Sequence, residues 1–481
     1  MPFTDLRDWL DHLRSSGELH EVTAEVDPHL EITEITDRMV KSGGPALLFR
    51  NVRGSALPLV INQFGTERRA CAAFGVERLD ELGERVADVL EMAPPEGLMD
   101  KLRALGKLKS LADSRPKVVS SGPCQEVVLD PPSLDPLPIM TCWPGDGGPY
   151  ITLPAVITRD PRSGQRNVGM YRVQKLDSAT VAMHWQIHKD AAADWRGMGE
   201  RMDVAIALGL DPITAYTASA PLPKHVDELM LAGFLRGKPV ELVRGRTVEL
   251  DVPARAEIVI EGFINRGELH DEGPFGDHTG YYTPVEPFPV MHVTAVTMRR
   301  DAVYPSIVVG VPPAEDAWLG KITERLFLPA VRLTLPEVVD YDLPVAGAFH
   351  NLCIVSIRKS YPGQARKVMH AVWGTGLLAL TKGVVVVDEN IDPHDYQQVM
   401  WQVGANVDPA RDVVLSSGPL DHLDHAPTLQ FVGGKIGIDA TAKSESEGYT
   451  RGWPEVIGMS HEIRTVVDRR WAEYGLPDPR T

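Results

Sequence analysis

Two runs of β-branched and apolar residues constrain the fold most: Ala256–Ile264 (A-E-I-V-I-E-G-F-I) and Val290–Met298 (V-M-H-V-T-A-V-T-M). Such residues suit a pleated, half-buried surface better than a helix, where branching at Cβ costs rotamer freedom. Asp203–Leu208 and Ser306–Val311 read the same way. Residues 116–310 are therefore expected to form a barrel or strongly curved sheet, with Gly and Pro at the turns. The flanks read differently. Upstream, Leu6, Trp9, Leu10 and Leu13 fall on one face of a helix that Thr4 can cap and Gly17 ends. A helix over Ile32–Lys41, strands at Ala46–Phe49 and Leu57–Phe64, and helices over Leu79–Leu90 and Met92–Pro116 follow. Downstream, 311–330 reads as a linker helix. Leu352–Ile357, Val384–Val387 and Val413–Leu415 read as strands alternating with helices at Gly363–Trp373 and Pro393–Val403, the signature of a largely parallel sheet. Residues 451–481 add an arm with a helix over Val456–Glu473. At 481 residues the chain exceeds what one core usually supports. The expectation is an α/β multidomain protein: an α/β region over 1–115, the β region over 116–310, and an α/β domain over 331–450.

The net charge of −17 opposes binding to nucleic acid or an anionic membrane surface, both of which require positive potential. Cys71, Cys124, Cys142 and Cys353 form no C-x-x-C pair and are expected as reduced, packed thiols. The N-terminus lacks a basic segment followed by an apolar one, and no window reaches the ~18–20 apolar residues of a membrane span, so a cytoplasmic location is expected.

No G-x-G-x-x-G or P-loop pattern is present. Gly145-Asp146-Gly147 resembles the G-D-G of thiamine-diphosphate sites, but the paired Asn that should follow is missing. Glu272-Gly-Pro-Phe-Gly-Asp277-His278-Thr-Gly-Tyr-Tyr282 is more informative. Two carboxylates flank a Gly-Pro-x-Gly turn that can aim them at one point, and close carboxylates can have separated pKa values. On its residues alone, the segment is equally readable as a polar hairpin loop. A second constellation, Asn167-Val-Gly-Met-Tyr171-Arg172 followed by His184-Trp-Gln-Ile-His188, could combine with a distant carboxylate such as Glu241. That mixed N/O set would suit Mn2+ or Mg2+ bridging a phosphate.

Together these segments carry a resemblance to the UbiD decarboxylases over nearly the whole chain, closest in appearance to quinone-pathway members. It rests on D-P-H-L-E-I-T-E-I (27–35), G-G-P-A-L-L-F (43–49), L-P-I-M-T-C-W-P (137–144), N-V-G-M-Y-R (167–172), E-G-P-F-G-D-H-T-G-Y-Y (272–282), N-V-D-P-A-R-D (406–412) and K-I-G-I-D-A-T (435–441). The resemblance implies a central split β-barrel that binds flavin and a C-terminal domain that oligomerises, as a homodimer or homohexamer. It implies prenylated FMN as cofactor, held through Mn2+ or Mg2+, with K+ as a further cation. By matching motif the metal ligands would be Asn167, His188 and Glu241. Cofactor contacts would come from Asn167, Met170, Tyr171, Arg172, His184, Trp185, Gln186, His188 and Lys189. The catalytic set would be Glu272, Arg172 and Asp277, with Arg172 orienting a carboxylate; Glu272, its pKa raised, is assigned as the proton donor and Asp277 as its partner, the two being exchangeable because coupled carboxylates share their titration.

The implied reaction is reversible, non-oxidative decarboxylation of an aromatic or α,β-unsaturated acid through a covalent adduct with the cofactor. A flavin prenyltransferase would supply that cofactor. A quinone-pathway aromatic acid is the favoured substrate, an alkenoic acid from natural-product tailoring the main competitor, and an inactive scaffold the reading from another class. One departure stands out: Lys189-Asp190 follows His188 where close relatives have a basic-Gly pair.

Overall fold

The structure, a computed structural model, describes residues 3–90, 113–186, 190–223 and 226–477. The helix expected over Met92–Pro116 falls almost entirely outside them, as do His188 and Lys189.

The N-terminal unit begins with the helix Leu6–Ser15, capped by Asp5 rather than Thr4. The Asp5 carboxylate accepts from the backbone N–H groups of Arg7 and Asp8. The helix buries Leu6, Trp9, Leu10 and Leu13 against a four-stranded sheet of Leu19–Val26, Ala46–Val52, Leu59–Ile61 and Tyr304–Pro305. The last strand returns from far along the chain and ties this unit to the central one.

The central unit is a nine-stranded sheet curved as half a barrel. Its spine is the hairpin Ile258–Glu272 and Glu286–Met298, the two β-branched runs, extended beyond the patterned residues. One edge strand is Arg166–Gly169. At the other edge Tyr150–Ile151 pairs with Val173–Lys175. The tripeptide Met170–Arg172 therefore crosses from one edge to the other, and Arg172 sits in the mouth of the open barrel.

The long helix Asp316–Thr334 leads to a five-stranded sheet ordered Val338–Asp342, Leu352–Ile357, Gly383–Asp388, Val432–Asp439 and Val413–Pro419. The three inner strands are parallel, as the β-α alternation predicts. The terminal helix is shorter than expected, His461–Arg470, and buries no side chain, while Val456, Ile457 and Met459 before it are exposed. All four cysteines are buried and free. Among the described residues no helix is long and apolar enough to cross a membrane.

Candidate active site

The segment Glu272–Tyr282 is both things its residues allow. It is the connection of the central hairpin, with Glu272 paired to Glu286 as the last rung, and it brings both carboxylates to one cation. Arg172 Nε and Nη2 donate to the two oxygens of Glu272 at 2.8 and 2.9 Å, and Nη1 donates to Asp277 Oδ2 at 2.6 Å. Nη2 also reaches Thr283 Oγ1 at 3.0 Å, and the guanidinium lies 4.8 Å from the Phe275 ring centre. Planar, bidentate geometry of this kind is what only arginine supplies. Glu272 is completely buried and Asp277 nearly so. Two histidines close the ends. His184 Nδ1 is 3.0 Å from Glu272 Oε2, and His278 Nδ1 is 2.9 Å from Asp277 Oδ1.

The loop keeps this shape because a second loop braces it, and here the Gly145-Asp146-Gly147 motif finds its role. Asp146 accepts from the backbone N–H of Gly276 (2.8 Å), Cys142 (3.1 Å) and Trp143 (2.9 Å). A Cβ on Gly276 would fall 2.3 Å from the Trp143 ring, so only glycine lets the loops meet. Replacing Asp146 by Ala orphans three donors at a cost of about 1–3 kcal/mol each for those that water cannot reach. The expected result is a Tm lowered by several degrees together with reduced activity; a variant melting and turning over like the wild type would show that the brace is dispensable.

The electrostatics correct one expectation. Burial alone would raise the Glu272 carboxyl, but His184 and Arg172 outweigh it and pull the group down to about 2. Asp277 is likewise held far below the usual carboxylate range: burial opposes, but His278 and Arg172 prevail. Neither carboxyl has the raised pKa expected of the proton donor, because one guanidinium faces both. His184 is lowered, by burial first and by Arg172 next, so it stays neutral and donates through Nδ1. His278 is the opposite case: burial would lower it, but Asp277, with Asp316 and Asp421 behind, raises it to about 9.

A raised histidine stabilises the fold fully below its ordinary value of 6.5, and that contribution is lost as pH rises through about 9. The stability gap between wild type and His278→Gln, measured as Tm, is thus expected to be widest below about pH 6.5, to narrow as pH rises and to close above about pH 9. A gap independent of pH would contradict a charged His278.

The second constellation is partly assembled. Asn167 is buried on the edge strand, and its Nδ2 donates to Thr158 Oγ1 at 3.1 Å, which turns Oδ1 the other way. Thr158 in turn donates to Asp194 at 2.8 Å. The structure does not bring Glu241 to this point. Glu241 lies on a separate three-stranded sheet, is about half exposed and pairs with Arg255 at 3.0 Å. The carboxylate that reaches the Asn167 strand is Glu228, at the start of the helix Glu228–Arg236, whose Oε2 accepts from the Val168 N–H at 3.0 Å. Burial pushes the Glu228 carboxyl up to about 7; its own and Val168's N–H groups oppose this only in part, and Asp227 and Asp190 push the same way. Sequence reasoning missed Glu228, although an acid opening an apolar helix (D-E-L-M-L-A-G-F-L) was a readable signal.

The remaining expected contacts divide. Tyr171 is buried with its hydroxyl 3.5 Å from the Ala191 N–H, and Met170 opens onto a cleft lined by Gln63, Leu153, Gly209 and Pro305. Trp185 is buried, and its Nε1 has no partner among the described residues. Gln186 Nε2 lies 3.4 Å from Asp421. Asp190 opens the helix Asp190–Gly197, where a negative charge suits the helix dipole.

Elsewhere, Glu324, Asp342 and His394 stand close enough to hold a metal. Lys321 and Arg325 already neutralise them, so this cluster reads as an ion-pair network.

A half-barrel whose mouth holds an arginine between two buried carboxylates, followed by a parallel α/β unit, defines a multidomain acid/base enzyme scaffold. Comparison with known proteins identifies the family. The chain matches the N-terminal (residues 10–86), Rift-related (117–312) and C-terminal (317–440) domains of the 3-octaprenyl-4-hydroxybenzoate carboxy-lyase, or UbiD, family. It is 52% identical over 478 residues to an uncharacterized protein of Archaeoglobus fulgidus, covering 98% of this chain and 99% of the relative. Among solved structures it is similar to an evolved dimeric form of the UbiD-class enzyme HmfF from Pelotomaculum thermopropionicum in complex with prFMN (TM-score 0.78, 31% identity, 96% of this chain, 98% of the other). It is also similar to the closed form of vanillic acid decarboxylase from Sedimentibacter hydroxybenzoicus (TM-score 0.86, 25% identity, 99% and 100%). The chain belongs to the UbiD family of carboxy-lyases.

Proposed function

We propose that this chain is a prenylated-FMN-dependent, non-oxidative decarboxylase of an aromatic acid. The observation that carries the reading is the Glu272–Arg172–Asp277 clamp in the mouth of the half-barrel. Removing CO2 from an sp2 carbon leaves an electron pair that no side chain can hold, and prenylated FMN, when bound, supplies the electron sink. The residues present fit that group. Asn167 Oδ1 and Glu228, joined by His188 as the motif implies, would form a mixed N/O set for Mn2+ or Mg2+ that would hold its phosphate. The unpartnered Trp185 N–H and the Met170–Arg172 backbone offer further contacts. Glu228 replaces Glu241 as the carboxylate of that set.

The chain's own residues bind and protonate. Arg172 has donors enough to hold a substrate carboxylate in a water-poor site. A third negative charge at Arg172 competes for its N–H groups and lifts the adjacent carboxyls from their low resting values toward protonation. Asp277, not Glu272, is the better proton donor. Glu272 is held on both oxygens by Arg172 and His184, whereas Asp277 gives Arg172 one oxygen and keeps the other on a charged histidine. Glu272 then anchors Arg172, with His184 as a positioning residue.

The relative named for vanillic acid supports an aromatic substrate, and the motif resemblance favours one from a quinone pathway. Assay of cofactor-loaded protein against a naphthoate, a hydroxybenzoate and a dienoic acid tests this. CO2 release from an aromatic acid is expected, and release from the dienoic acid alone would move the reading to alkenoic acids. The exposed apolar residues of the C-terminal arm favour a homo-oligomer, dimer or hexamer, and a flavin prenyltransferase is the implied supplier of the cofactor.

A further inference from the structure

Decarboxylation of a carboxylate consumes one proton per turnover, and Asp277 is mostly buried, with both oxygens held by Arg172 and His278. Beside it stands a group that the acid-and-anchor account leaves unused. His278 touches Asp277 twice, through its backbone N–H at 2.7 Å and through Nδ1 at 2.9 Å, both on Oδ1. Its other nitrogen, Nε2, is buried without a hydrogen-bond partner among the described residues. A buried N–H with no partner is uncommon and calls for an explanation. The ring stacks on Phe349, 5.1 Å between centres at 24°, a contact that a half-turn within the ring plane's slot preserves. That stacking leaves it facing His350, whose ring centre is also 5.1 Å away.

His350 is on the C-terminal unit, just before the strand Leu352–Ile357, and its side chain keeps 20% of its surface exposed. Its Nε2 lies 3.4 Å from Asp421 Oδ2, off the line of a good hydrogen bond and without another partner. The charged and titratable groups facing His278 are therefore Asp277 on its own loop, Asp316 at the head of the long helix, and His350 and Asp421 on the C-terminal unit. Three carboxylates around one imidazole favour its cationic form.

We propose that His278 stores the proton that Asp277 delivers, and that His350 resupplies it from the C-terminal unit. The inference rests on the reading of Asp277 as the proton donor. The balance is one proton per cycle. The His278 Nδ1–H passes to Asp277 as Asp277 protonates the carbon that lost CO2. The imidazole, now neutral with its hydrogen on Nε2, makes a half-turn that presents the emptied nitrogen to His350. A proton then arrives from solvent through His350, directly or across one water, a spacing that adjacent imidazoles at this distance allow, and the reverse half-turn brings the reloaded Nδ1–H back to Asp277. The C-terminal unit thereby contributes to the chemistry and not only to assembly.

The test is His350→Phe, which keeps the aromatic packing against Phe349 but cannot carry a proton. His350→Gln, smaller and polar, serves as the second variant should the first misfold. In full-length protein labelled with 15N-histidine, at about pH 7.5, His278 is expected as a doubly protonated ring in both wild type and variant. Exchange of its ring hydrogens with solvent is expected to slow by about tenfold or more in the variant. With the cofactor-loaded protein the variant should form about one product per site at the normal rate, then turn over about tenfold more slowly, with added imidazole restoring the rate. Wild-type exchange and wild-type steady-state turnover in both variants would overturn the relay. The two readings fail separately: if Asp277→Asn turns over normally, the proton-donor assignment is lost. If Asp277→Asn is dead while the His350 variants are normal, only the relay is lost.

Discussion

Asp277→Asn is expected to lower kcat by about 10^3-fold or more while leaving metal and flavin content unchanged. A positioned general acid contributes roughly 10^2–10^4-fold, and the amide can neither give the proton nor keep His278 charged. The change is isosteric and exchanges one oxygen for an NH2 that Arg172 Nη1 cannot bond, so some loss of loop order adds to the chemical loss. The comparison variant is Glu272→Gln. It weakens the fork on Arg172 and loosens the His184 contact, so it should raise KM for the acid as well as lower kcat. A larger kcat loss for Glu272→Gln than for Asp277→Asn, with KM untouched, would exchange the two roles.

The second large effect concerns the metal. Glu228→Ala is expected to remove bound divalent metal and, with it, most flavin retention, since this buried carboxylate accepts directly from the Val168 N–H next to Asn167. Glu241→Ala should retain both. It removes a half-exposed partner of Arg255, and exposed pairs of that kind contribute little, about 0–1 kcal/mol. Elemental analysis and the flavin absorbance of the purified variants decide the matter. Metal loss in Glu241→Ala but not in Glu228→Ala would restore the set that the sequence motif suggested.

These two variants also mark what could be read from sequence. Local patterns found the elements whose pattern is local. Leu352–Ile357 runs over the strand its β-branched residues predict, and the change from β-rich to alternating β-α falls between the central sheet and the C-terminal sheet. The strand Val432–Asp439 escaped because its glycines and buried Lys435 break the apolar alternation, although it pairs between two other strands. For the site, the Glu272–Asp277 loop was visible as two carboxylates on a turn, but its partner Arg172 lies 100 residues away, at a point fixed only by the pairing of edge strands. The expectation of a raised donor pKa failed for the same reason: it requires knowing that one guanidinium faces both carboxyls. Glu241 was named from its strand motif, and Glu228 was missed. Which carboxylate stands beside Asn167 depends on a helix that packs back onto the sheet edge. Asp146 stood in a visible G-D-G and His278 in the Glu272–Tyr282 run, but neither motif showed its role, and His350 carried no pattern, since a brace or a relay exists only through contacts across loops.

The central claim is that Arg172, Glu272 and Asp277 turn the half-barrel into a decarboxylase with Asp277 as its acid. The most direct measurement follows the fate of the proton. Protein loaded with prenylated FMN is supplied in D2O with the aromatic acid it accepts from the panel, and the product is examined for deuterium at the carbon that lost CO2. The account predicts one deuterium at that carbon with wild type and deuterated product formed about 10^3-fold more slowly with Asp277→Asn carrying the same flavin and metal. Deuterated product formed by Asp277→Asn at the wild-type rate would contradict it.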